Sequence, residues 1–206
     1  MTQPIDISIS LTSFMDFVTA TASQRISVVR GIADMYAEDY QRGPDFYRDL
    51  RQTIKDGIVR GDDVQRLDRL VAQAPDPKRS NYRANAAGWS EWRRKKNLVV
   101  FTATERWHEQ QLQVKVSPTF VWQRRGGTRL VLPYYKGQEL SADAAQAATR
   151  IIEKAFEEQH GRAAVLDVRR AHLHEARRRR SRDYDAWLAG EVSAFLQMFR
   201  SIRPAA

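Results

Sequence analysis

The 206-residue sequence contains no cysteine. Disulfides, thiolate metal sites and cysteine nucleophiles are therefore excluded. No stretch approaches the roughly 18–20 consecutive apolar residues that a membrane-spanning helix needs. Met1 to Ser10 places no Lys or Arg ahead of its apolar residues, unlike a secretory leader. Together these absences lead us to expect a cytoplasmic protein with no membrane partner. Histidine is scarce, with four in the chain, and no His-Glu-x-x-His spacing occurs. Gly-x-x-x-x-Gly-Lys and Gly-x-Gly-x-x-Gly phosphate loops are missing, as is a serine nucleophile elbow. No cofactor is implied.

Acid is also in deficit. Lys and Arg number 34 against 25 Asp and Glu, a net charge of +9. Residues 1–75 are nearly balanced, whereas basic clusters follow at Lys78-Arg79, at Arg93, Arg94, Lys95 and Lys96, at Arg124 and Arg125, and at Arg177, Arg178, Arg179, Arg180 and Arg182. Such clusters either form a solvated rim or meet an external polyanion, of which DNA and RNA are the obvious examples. The last run has only Glu175, Asp183 and Asp185 near it in sequence, so its guanidinium groups lack local partners. Glutamine at Arg178, Arg179 and Arg180 is expected to weaken nucleic-acid binding and flatten its salt dependence.

Hydrophobic residues make up 42% of the chain, enough for a sizeable core. Residues 13–73 carry helical periodicity: Phe14, Phe17 and Val18, then Ile26, Val29 and Ala33, then Leu50, Ile54 and Ile58, then Val64, Leu67 and Leu70. Residues Gln73 to Ala87, with two prolines, suggest a linker or extended crossing, and Trp89 to Lys96 a short basic helix. The period then changes to two. Strands are expected at Leu98–Trp107, Leu112–Gln123 and Thr128–Tyr135, with Gly126-Gly127 forming a hairpin turn. Ser141 caps a long helix that Gly161 closes, Ala163–Arg169 forms a buried strand, and a final helix carries Leu188, Val192, Phe195 and Leu196 inward.

The expected fold class is α+β. A helical region (1–75) and a linker with a short basic helix (76–96) precede an α/β core with a C-terminal helix (97–206). Helix, three strands in an antiparallel meander, helix, then a strand parallel to the meander is the connectivity of a restriction-endonuclease-like core. Fold alone does not specify chemistry.

Several stretches carry a resemblance: SFMDFVTATASQRISVVR, DFYRDLRQTI, SNYRANAAGWSEW, VKVSPTF, RLVLPYYKGQELS, AVLDVRR and LAGEVSAFLQMF. The chain resembles a family of bacterial proteins without an established activity, built from a helical N-terminal part and a strand-rich C-terminal part. The resemblance implies that fold and no particular reaction. Relatives carry Asn-Pro-Glu-Leu where this chain has Ser117-Pro118-Thr119-Phe120, and Lys-Leu-Tyr-Phe-Lys where it has Leu132-Pro133-Tyr134-Tyr135-Lys136. The Asp of AVLDVRR is retained as Asp167.

A nuclease of the restriction type needs carboxylates to hold Mg²⁺ and usually a Lys to activate water. The catalytic candidates are Asp167, Lys136 and Glu105. The acid expected two residues before Lys136 is replaced by Tyr134, and residues 112–123 contain no Asp or Glu. Asp143 fits the first turn of a helix, where an acid complements the dipole. Asp167, inside an apolar strand, is either a buried arginine partner or a catalytic acid. His172 and His174 suit a metal only if their segment is extended. The interleaved Trp89, Trp92, Trp122 and basic side chains suit stacked bases and phosphates, or else a core with a charged rim. Three functions remain open: a nucleic-acid-binding protein with a degenerate nuclease-like core, an active Mg²⁺-dependent nuclease, or a protein-interaction subunit with an acidic partner.

Overall fold

A computed structural model describes residues 7–35, 45–156, 161–176 and 181–202. The chain is mixed α+β. Its helices are α1 (Leu11–Thr19), α2 (Ala22–Met35), α3 (Arg48–Arg60), α4 (Asp63–Gln73), α5 (Asp76–Arg93), α6 (Ala142–Phe156) and α7 (Ser181–Ile202). Its strands are β1 (Ile7–Ser10), β2 (Asn97–Val100), β3 (Glu105–Glu109), β4 (Leu112–Val116), β5 (Phe120–Arg124), β6 (Gly127–Tyr134), β7 (Arg162–Asp167) and β8 (His172–Glu175). No helix among the described residues is long and apolar enough to cross a membrane.

Within the expected helical span the described residues 13–35 and 48–73 form helices α1 to α4, burying Phe14, Phe17, Val29, Leu50, Ile54 and Leu67. Ile26 of the expected stripe is exposed, and residues 36–44 lie outside the described residues. The expected linker is different. Residues 76–93 form α5, an 18-residue helix that buries Tyr82, Asn85, Ala86, Trp89 and Trp92. Its two prolines do not oppose helix formation. Pro75 is the N-cap, at φ −63° and ψ 151°, and Pro77 sits in the first turn, where a backbone N–H has no intrahelical acceptor.

The expected three-strand meander also divides. The described strands form two sheets, ordered β1-β4-β3 and β2-β5-β6-β7-β8. The first expected strand breaks after Val100 and resumes as β3 in the smaller sheet, while the second breaks at Ser117–Thr119, where Pro118 has no N–H to give a ladder. The chain crosses between sheets at these breaks. Thr119 N–H donates to Val131 O at 2.9 Å, and Phe101 N–H donates to Thr119 O at 2.9 Å, tying both crossings to the larger sheet. β2 therefore pairs with β5 rather than with the strand that follows it.

The expected β5–β6 hairpin turns through Gly126 and Gly127, at φ +90° and +112°. Ser141 Oγ accepts from Ala144 N–H and caps α6, which returns the chain to β7, parallel to β6 in the same sheet. The buried strand is shorter than expected. After Asp167 the chain makes a 3-10 turn, Val168–Arg170, and then β8, an antiparallel edge strand. Gly88 lets α5 approach this turn: a Cβ there would stand 2.0 Å from Val168 O.

One face of the larger sheet packs on α3, α4 and α5 around Trp89, Phe120 and Leu166. The other face, with Leu130, Leu132 and Val165, packs on α1, α6 and α7, which also bury Val114 and Trp107 of the smaller sheet.

Candidate nucleic-acid interface

Strand pairing brings together basic clusters that are far apart in sequence. The β2–β5 ladder begins with Asn97 opposite Gln123, so Lys96 and Arg124 flank the same end of the sheet. Trp122 lies opposite Arg129, and Arg129 opposite Arg162. The groups at this end divide into two kinds. Arg93 donates from Nε to Asp63 at 2.6 Å and also bonds Lys96 O. Lys96 bonds Trp92 O and stands 4.9 Å and 5.3 Å from the ring centroids of Trp92 and Trp122. Loss of hydration, then the neighbouring Arg93, hold its ammonium pKa below the ordinary lysine value. Arg124 lies 5.0 Å over Trp122 and 3.3 Å from Glu175, which Arg129 engages at 2.6 Å. These four cations are anchored.

Arg94, Lys95, Arg125 and Arg162 are exposed and make no ion pair among the described residues. Lys95, at φ +55°, follows the end of α5. The anchored cations thus form a base for four that face solvent without a carboxylate. Arg177, Arg178, Arg179 and Arg180 lie outside the described residues. Arg182 belongs to α7. Ala176, the last described residue before the run, donates to Ala163 O near the start of β7, at this same end of the sheet.

The tryptophans are engaged within the fold. Trp89 and Trp92 are buried, and Trp89 Nε1 donates to Asp63 at 3.1 Å. Trp122 is half-buried and already holds two cations. Phosphate contact suits this surface better than stacked bases do.

The opposite end of the larger sheet holds two of the three catalytic candidates, Lys136 and Asp167. Lys136, just past β6, bonds the carboxylate of Asp16 from α1. Burial pushes the Asp16 pKa above the usual carboxylate value, and Lys136 pulls it back. Asp167 ends β7, 1% exposed; its Oδ2 accepts from Leu140 N–H at 3.3 Å and from Arg170 Nη1 at 3.1 Å. Arg170 Nη2 also donates to Gly137 O at 2.9 Å, so the residues after Lys136 are clamped to the 3-10 turn. Between the two acids lies Tyr134, buried at 2% exposure, whose hydroxyl pKa rises from burial first and then from Asp16 and Asp167. Lys136 and Asp167 thus share one strand-end cluster, each held by a partner of opposite charge. Glu105 is exposed on β3 in the smaller sheet and pairs across to Val116.

No three His, Cys, Asp or Glu side chains converge for a metal among the described residues. His172 and His174 do lie on an extended strand, but their rings pack against each other at 4.5 Å, edge to face. Asp143 sits in the first turn of α6 as its spacing suggests.

Sequence reasoning missed Asp16, Asp63, Arg129, Arg162 and Glu175. Nothing in the local sequence marks Asp16 as the partner of a lysine 120 residues away. Arg129 and Arg162 carry a weak signal, since each opens an apolar strand where the chain is still near solvent. A scan of the chain against protein-family models finds no match, and no curated protein matches it, so the resemblance noted above rests on the quoted motifs alone.

Proposed function

We propose that this protein binds nucleic acid through phosphate contacts at the basic end of the β2-β5-β6-β7-β8 sheet, and that it does not cleave what it binds. The observation that carries this reading is the convergence of Arg94, Lys95, Arg125 and Arg162 at one sheet end, without carboxylate partners among the described residues. An unpaired guanidinium must stay hydrated or meet an anion, and a phosphate backbone supplies acceptors at regular spacing. The arginine run at 177–182 would add further phosphate contacts.

We read the β5–β6 hairpin, α6 and parallel β7 as a restriction-endonuclease-like core whose metal site has been lost. Residues 112–124 contribute no carboxylate. Tyr134 stands where an acid would precede Lys136 by two, Lys136 is bonded to Asp16, and Asp167 is bonded to Arg170. A lysine committed to a carboxylate and an acid committed to an arginine are poorly placed to activate water or hold Mg²⁺.

The test is the affinity for a short duplex, measured over a range of salt concentrations. Replacing Arg94, Lys95, Arg125 and Arg162 together by Gln is expected to weaken binding and to lower the slope of log affinity against log salt by roughly one per lost contact. Purified protein with Mg²⁺ or Mn²⁺ is expected to leave DNA and RNA intact. Unchanged affinity and slope in the quadruple variant would contradict the binding surface. Cleavage abolished by Asp167→Ala or Lys136→Ala would contradict the lost metal site.

A further inference from the structure

The outer face of α5 points to a second copy of this chain. Between α4 and α5 lies an open groove of about 670 Å³, floored by Val71, Ala86 and Ala87. Four charged side chains surround it: Asp68 from α4, Arg83 and Glu91 from α5, and Arg94 at the C-cap of α5. All four are exposed, and none forms an ion pair or hydrogen bond among the described residues. Elsewhere on α3, α4 and α5 the carboxylates have partners: Asp49 with Lys78, Asp56 with Gln52, Asp62 with Arg66, Asp63 with Arg93 and Asp76 with Arg79. An acid and a base left unpaired on one helix face suggest a partner presenting the opposite order of charge.

The spacing specifies that partner. Arg83 and Glu91 lie four residues to either side of Ala87, on one stripe of α5, since positions four apart share a helix face. A two-fold axis through Ala87 sets two α5 helices antiparallel. It places Arg83 of one copy opposite Glu91 of the partner subunit, and Glu91 opposite Arg83 of the partner subunit. Such an isologous contact is self-complementary by construction. Ala87 at the crossing allows close approach of the two helices, and the groove beside it receives side chains from the facing surface. An acidic partner would leave Glu91 and Asp68 facing like charge, and a basic partner would do the same to Arg83 and Arg94. Only a surface with both signs in reversed order satisfies the central pair.

We propose that this protein forms a two-fold homodimer through antiparallel α5 helices centred on Ala87, with Arg83 and Glu91 pairing across the interface. At 1.5 Å rise per residue, seven residues separate Ala87 from Arg94 by about 10 Å along the axis, so the two Arg94 positions fall about 21 Å apart. The two basic sheet ends then project from opposite ends of the paired helices. The dimer does not depend on the nucleic-acid reading, because its central residues are not those of the basic end.

Sedimentation velocity on the full chain over a range of concentrations tests it. Wild type is expected to show a species of twice the 23.8 kDa chain mass. Arg83→Glu places Glu against Glu at both pairs, and Glu91→Arg places Arg against Arg, so each single variant is expected to weaken dimerisation roughly tenfold or more. An equimolar mixture of the two variants restores both attractive pairs and is expected to dimerise as wild type does. That recovery also shows that each variant is folded. A wild type that stays monomeric at about 100 μM, a concentration at which a dissociation constant weaker than micromolar is still visible, overturns the proposal. So does a dimer that neither single variant weakens, or a mixture no more associated than its components.

Discussion

At the scale of single residues, buried charge decides stability more than exposed charge does. Asp63 is 4% exposed and accepts from both Trp89 Nε1 and Arg93 Nε. Asp63→Ala leaves a buried indole N–H and a guanidinium without their acceptor, and is expected to cost about 3 kcal/mol in urea unfolding. Asp16 and Asp185 act oppositely in acid. The hydrogen bonds from Arg150, at 2.8 Å and 2.9 Å, hold the Asp185 carboxyl below its ordinary pKa of 3.8. Its contribution is present above that value and is lost as pH falls through the lower folded value. Burial raises the Asp16 pKa above 3.8, so its contribution is present below 3.8 and lost as pH rises through the folded value. Stability measured between neutral pH and pH 3 is therefore expected to fall more steeply in Asp16→Asn and less steeply in Asp185→Asn than in wild type.

At the scale of elements, close approach of α5 to the Val168–Arg170 turn holds the helical layer on the sheet. Gly88→Ala puts a Cβ 2.0 Å from a backbone oxygen that cannot swing aside, so a loss of about 2–3 kcal/mol is expected in urea unfolding. Ser141→Ala removes the cap of α6 and is expected to cost about 1 kcal/mol by the same measurement. The sequence made some of these elements legible. α3 and α4 follow from stripes of Leu, Ile and Val, and α6 from a serine cap ahead of an alanine-rich face. α5 was hidden because Pro75 and Pro77 resemble linker residues unless they are placed at a helix start. β1 was hidden because four residues, Ile7–Ser10, gain their ladder only from β4, more than a hundred residues away. The division into two sheets was foreshadowed by Pro118, which marks a break in the ladder without saying where the chain goes next.

At the scale of the whole molecule, the two ends of the larger sheet differ in how their charges are used. At the Tyr134 and Asp167 end the charges are paired, Lys136 with Asp16 and Asp167 with Arg170. At the Arg129 and Arg162 end Arg124 and Arg129 share Glu175, Arg93 pairs with Asp63, and four more cations have no ion pair among the described residues. The clusters at 93–96 and 124–125 were visible in the sequence, but their union depends on β2 pairing with β5, and the contribution of Arg162 on β7 parallel to β6. The candidate site was therefore legible as composition and not as a surface. Backbone amide chemical shifts, recorded while a short duplex is added at low salt, test this account most directly. The account predicts shift changes at Arg94, Lys95, Lys96, Arg124, Arg125 and Arg162 that reverse as salt is raised, with none at Tyr134, Lys136 or Asp167. Changes centred on the Lys136 and Asp167 end, or no changes at either end, would contradict it.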